Sequence, residues 1–169
     1  MNQYKRLIIA LAVLIGIAGS FMLYLSFPLL TGKTVVLKTQ PIDPFDVFRG
    51  QYLTISYEIS RVNLSKGFKE GDTVYVSLKE GDDTIWHADK VSSNKPESEI
   101  FIRGTAKQSW RGLAVEYGIG QYFFERDAHI PRMDSVRVKV DSSGQARIVE
   151  LLMNGQPLNI TYKKPSLTS

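Results

Sequence analysis

The chain has 169 residues, no cysteine, and a formal charge of +4 from 21 Lys and Arg against 17 Asp and Glu. The missing thiol excludes a disulfide framework, thiolate metal sites and a cysteine nucleophile. The positive excess does not point to nucleic acid: Lys5, Arg6 and Lys33 stand without an acidic residue before them, which leaves 18 basic against 17 acidic side chains in the remainder, with no basic run beyond Lys163 and Lys164.

Residues 7–30 form an uncharged run of 24, LIIALAVLIGIAGSFMLYLSFPLL. As a helix this run measures ~36 Å, enough to cross a bilayer with some tilt. Gly16, Gly19 and Pro28 are tolerated in such a helix, and Tyr24 and Phe27 fall near its far end, where aromatic rings favour the interface. A basic tip ahead of an apolar run has the layout of a signal-anchor. Residues 1–6 are therefore read as a cytoplasmic tip, 7–30 as a single transmembrane signal-anchor helix, 31–164 as an extracytoplasmic β-domain, and 165–169 as a flexible tail. Lys33 and Lys38 nearly balance Lys5 and Arg6, so orientation rests on this layout more than on charge counting. A cleaved signal peptide with Ala18, Gly19 and Ser20 at the cut is the competing reading, opposed by the apolar residues that continue past it. The expected location is the cell membrane, single-pass, with the domain outside the cytoplasm.

After the span, Val35 and Leu37 open a first strand, which residues 40–44, QPIDP, interrupt. Asp43 before Pro44, with Asp46 three residues after the cap, suits a one-turn helix. Residues 52–59, YLTISYEI, alternate polar and apolar side chains as a half-buried strand does. The same period recurs at Val74, Val76 and Leu78, and at Val136, Val138 and Val140. Turns are expected at residues 80–83 and 141–144, and Asn154 followed by Gly155 is the strongest hairpin signal. The first of these turns leads into a strand through Ile85 and Trp86, the second into a strand over 146–153, and Asn154 and Gly155 into a last one near 157–160. Two further strands are expected at 99–107 and 113–117, and a turn or two of helix at 120–128. About eight short strands without long helices imply a mainly β domain, an antiparallel barrel or sandwich behind one N-terminal transmembrane helix.

Residues 49–57, RGQYLTISY, resemble the motif G-D-Y-x-x-L-x-Y that names a family of uncharacterised bacterial membrane-anchored proteins. The lead-in at residues 41–48, PIDPFDVF, is similar to that family's Pro-x-Asp-Pro-x-Asp segment. Residues 117–123, YGIGQYF, resemble its second signature, and the closing strand pair with residues 154–158 resembles its C-terminus. Gln51 stands where the motif has Asp, and Ile55 where it has Leu. Gly120 takes a position that is commonly acidic, and residues 124–127 replace a Pro-Glu-Gly type turn. The resemblance implies a tethered extracytoplasmic domain, often encoded with polytopic membrane proteins, and implies no reaction.

Several residues invite a chemical reading. Asp43, Pro44, Asp46, Gly50, Tyr52, Tyr57 and Gly118 are expected to be architectural, with Arg49 pinning the turn through Asp43 or Asp46. Tyr52 and Tyr57 fall on opposite strand faces, and Tyr57 shares its face with Leu53, Ile55 and Ile59. Tyr117, Tyr122, Phe123 and Phe124 cluster around Gly118 and Gly120 and close one end of a barrel or line a cleft. The candidate binding surface combines Arg49, Gln51, Tyr117 and Tyr122. His87, with Asp89 on its face, and His129 lack ligand-spaced companions, so no metal is expected. No cofactor is implied. Ser26 at the membrane exit raises a Ser/Lys-type envelope hydrolase, but it lacks that nucleophile's sequence context and an assignable lysine. The expected function is a non-catalytic interaction or accessory domain working with another membrane protein; the alternatives are that hydrolase and a small-ligand sensor using the aromatic end.

Overall fold

The computed structural model describes residues 3–40, 52–64, 67–97, 99–109, 112–124, 128–129 and 131–162. The chain opens with helix α1 (Gln3–Thr31). Its stretch Tyr4–Tyr24 has a mean hydropathy of 2.5 and buries nothing against the rest of the protein. A helix apolar on every side has no polar face to turn to water, so it suits a membrane or a signal sequence, by length and composition.

Among the described residues thirteen strand segments follow: β1 (Lys33–Gln40), β2 (Tyr52–Thr54), β3 (Ser56–Tyr57), β4 (Thr73–Glu80), β5 (Trp86–Ser92), β6 (Phe101–Ser109), β7 (Gly112–Glu116), β8 (Gln121–Phe123), β9 (Ala128–His129), β10 (Ser135–Val140), β11 (Ala146–Met153), β12 (Gln156–Pro157) and β13 (Thr161–Tyr162). They form a five-stranded sheet in the order β12-β11-β10-β1-β3, a four-stranded sheet in the order β5-β4-β6-β7, and the ribbons β2-β8 and β13-β9. Every pairing is antiparallel. The domain is mainly β, and one sheet forms a half-barrel.

Alternation decides which faces meet. Val35 and Leu37 of β1, Val74 and Val76 of β4, Ile102 of β6, and Val136 and Val138 of β10 are almost wholly buried in one shared core. Their β-branched and leucine side chains fill the inward face, while Lys38, Arg103 and Lys107 between or beside them stay outside. The Asn154-Gly155 hairpin forms as expected, both residues having positive φ (51° and 76°). Asp134 braces it by accepting the Asn154 amide at 2.7 Å.

Three local expectations need correction. Residues 52–59 do not run as one strand. Ile55 donates its amide to Gly120 at 2.8 Å between β2 and β3, and residues Glu58–Arg61 turn into a 3-10 helix. The helix expected at 120–128 is replaced by β8, whose backbone pairs with β2, and by β9. A ladder partner and aromatic side chains outweigh a weak helical pattern there. The strand expected near 157–160 is only Gln156–Pro157 beside β11, and a further short strand, β13, follows it. The one-turn helix expected around Asp43 and Pro44, and the tail 165–169, lie outside the described residues.

The β10–β11 turn locks the two larger sheets together. Arg103 of β6 donates its amide to Gly144 at 2.8 Å. Asp141 organises the turn by accepting the amides of Ser143 and Gln145 and the Ser143 hydroxyl. Burial alone would raise the Asp141 carboxyl, but those bonds and the charge of Arg103 hold it below its ordinary value. Gly144 has φ +81°, and a Cβ there would lie 2.5 Å from the Phe101 ring. Gly144→Ala is therefore expected to lower stability by about 1–3 kcal/mol through backbone strain and overpacking, read as a lower urea midpoint.

Candidate functional site

The two segments singled out in the sequence, around residues 50–57 and 117–123, meet in space. In the β2-β8 ribbon Tyr52, Leu53 and Thr54 stand opposite Phe123, Tyr122 and Gln121. Just beyond it the Tyr57 hydroxyl donates to the Ile119 carbonyl at 2.8 Å, and the Tyr117 hydroxyl donates to the Ile59 carbonyl at 2.6 Å. Each phenol thus bonds the carbonyl two residues beyond the other phenol. Both rings are buried, at 2% and 7% exposure. Gly118, with φ +72°, lets the chain turn between Tyr117 and Ile119.

Burial pushes both phenols well above the ordinary tyrosine range. At neutral pH they are hydrogen-bond donors and not bases. Each satisfies a carbonyl inside the protein that would otherwise cost free energy to bury.

The candidate residues therefore fall into different environments. Tyr117 is core, its hydroxyl committed to Ile59, so it can present little of itself to a ligand. Tyr122 is half-buried and packs against the core from its edge. Its neighbour Phe123, not included in the candidate surface, is 71% exposed. Arg49, Gln51, Gly50, Asp43, Pro44 and Asp46 lie outside the described residues; Tyr52 is placed by its backbone pairing with Phe123.

Other groups were less visible in the sequence. His87 on β5 sits between two carboxylates, with Nδ1 3.3 Å from Glu58 Oε1 and Nε2 3.7 Å from Asp83 Oδ1. Its two nitrogens face different partners, and among the described residues no group of three or more His, Cys, Asp or Glu side chains is placed to hold a metal ion. A cleft of about 410 Å³ opens between Lys38, Asp134 and Arg137 on the five-stranded sheet and Asp83 and Thr84 in the β4–β5 turn. Two of its charges are engaged in the fold: Asp134 holds Ser135 and Asn154, and Arg137 pairs with Glu150. Ser26 lies within α1 and does not line the cleft.

One family profile, that of the GDYXXLXY proteins, matches residues 14–151, spanning the second half of α1 through most of β11. The chain belongs to the GDYXXLXY family. Its naming motif falls at Gly50, Gln51, Tyr52, Ile55 and Tyr57, so the family's terminal Tyr is the buried phenol bonded to Ile119 and its apolar position is the buried Ile55. No curated protein and no solved structure matches the chain.

The tyrosine pair gives a two-part prediction. Tyr57→Phe and Tyr117→Phe each leave a buried carbonyl unpaired and are expected to cost about 1–3 kcal/mol, measured by denaturant unfolding. Because the folded state holds both phenols protonated above their ordinary value of 10.0, the unfolded chain loses those protons first as pH rises. Stability that is full below pH 10 should then fall by about 1.4 kcal/mol per pH unit for each phenol. Each Phe variant should remove one share of that alkaline slope; an unchanged slope in both would show that other groups set it.

Proposed function

We propose that this GDYXXLXY protein is a membrane-tethered, non-catalytic interaction domain of the cell envelope. In this reading α1 crosses the membrane with its basic tip in the cytoplasm, and the β-domain stands outside and docks on another membrane protein. The observation that carries it is Phe123: a large aromatic ring 71% exposed on β8, beside half-buried Tyr122 and directly across from Tyr52 of the family motif. Aromatic side chains set in a rigid ribbon lose little entropy on binding and make effective anchors. In this reading Arg49 and Gln51, which precede β2 in the chain, take part in recognition together with Tyr122, while Tyr117 is committed to the fold through its bond to Ile59.

Two measurements test this reading. Protease added to intact spheroplasts should digest the domain; protection there with cleavage after lysis would reverse the orientation. Arg49→Ala and Tyr122→Ala should leave the melting temperature within a few degrees of the parent and abolish in-cell crosslinking to a membrane partner. Crosslinks that persist in both variants overturn the proposed surface.

A further inference from the structure

We infer that the cleft between the five-stranded sheet and the β4–β5 turn binds a small zwitterion, an amino acid with an apolar side chain. Its carboxylate meets Lys38 and the Thr84 hydroxyl, its ammonium meets Asp83, and its side chain lies against Val36 and Ile85. The site is separate from the docking surface proposed above and does not rest on it. Two observations carry it: opposite charges on the two walls that the fold does not use up, and a strained threonine that the turn itself does not need.

The first wall follows from register. Val36 stands opposite Arg137 and Lys38 opposite Ser135. Val35, Leu37, Val136 and Val138 fill the core, so Val36 and Lys38 look the other way, onto the cleft. Its volume of about 410 Å³ is that of a small-molecule site. Lys38 takes part in no ion pair among the described residues, and its ammonium keeps three donors for a ligand. On the other wall Asp83 uses one oxygen, Oδ1, for both the Ile85 amide and His87. Its side chain is 53% exposed and retains acceptor capacity for an ammonium. A simple acid would meet Asp83 and Asp134 unfavourably and a simple amine would meet Lys38, whereas a molecule carrying both charges complements both walls. Val36, Ile85 and Leu152 supply the apolar lining.

The strain shows against a second copy of the same turn. Gly81 donates its amide to Ile85 at 2.8 Å and Thr84 to Gly81 at 3.1 Å; Asp141 donates to Gln145 at 3.0 Å and Gly144 to Asp141 at 3.0 Å. In both turns the fourth residue is left-handed, with φ +65° at Thr84 and +81° at Gly144. Glycine adopts that conformation freely, whereas a β-branched residue in it is an outlier. Residue 84 therefore carries a side chain at a cost to the fold, and that side chain lines the cleft. Backbone strain of this kind gathers where a side chain is held for a ligand.

The test is equilibrium dialysis of radiolabelled leucine against the full chain in a neutral detergent. Saturable binding is expected with a Kd of about 1 mM or tighter. Glycine, isocaproate and isoamylamine each lack one of the three contacts and should compete about tenfold less well than leucine. Lys38→Ala and Asp83→Asn should each weaken leucine about tenfold. Asparagine keeps an oxygen for the Ile85 amide, so the turn survives that change. Lys69→Ala, which removes a cation that does not line the cleft, should leave binding unchanged. Thr84→Gly should raise the urea midpoint and weaken leucine several-fold, a combination that a merely structural threonine does not give. No saturation by about 10 mM leucine, equal competition by isocaproate and isoamylamine, unchanged affinity in Lys38→Ala, or a Thr84→Gly chain that gains stability and keeps its affinity would overturn the inference.

Discussion

The domain depends on a reciprocal exchange between two phenols. Tyr57 reaches forward to the carbonyl of Ile119 and Tyr117 reaches back to that of Ile59, with the Ile55 amide on Gly120 between them. These bonds join segments some sixty residues apart in the chain. The short β3 (Ser56–Tyr57) and the 3-10 turn after it gain little from local hydrogen bonding. Their conformation is fixed because the carbonyls that a longer strand would have paired are taken by tyrosine hydroxyls in a dry environment, where a missing partner is costly. The last tyrosine of the family's naming motif is thus part of the core, bonded across it to Ile119.

Close packing around this junction leaves little freedom. A Cβ at Gly104 would run into Val115 and the Glu116 carbonyl, so β6 and β7 approach there more closely than any side chain permits. Val115, Tyr117 and Ile119 then face the core in alternation. One glycine thereby sets how near β7 comes to its neighbour, and so where the Tyr117 hydroxyl arrives.

Much of this was legible in the sequence, for reasons that differ from element to element. The apolar run of α1 and the alternation at Val136, Val138 and Val140 are signals of composition and period that tertiary context does not override. Asn154 and Gly155 announce their turn because few other residues tolerate positive φ. The broken strand at Ile55 and the strand at β8 were not legible, since each exists only because the other pairs with it. Both halves of the candidate site were visible as motifs, but the burial of Tyr117 and the exposure of Phe123 depend on which way a short ribbon faces. The charges of Lys139 and Arg147 stand eight residues apart in the chain and look dispersed there. The turn between β10 and β11 brings them opposite one another, in the register that holds up to the bulge between Arg137 and Val138.

One residue, Gly32, separates the end of α1 from the start of β1. A longer polar linker would let the domain wander as a ball on a string, with its effective concentration spread over the reach of the string. Here the helix runs almost straight into a strand hydrogen-bonded on both sides, to β10 and β3. A single residue therefore limits how far the five-stranded sheet can stand from the end of the helix, to roughly one residue's reach.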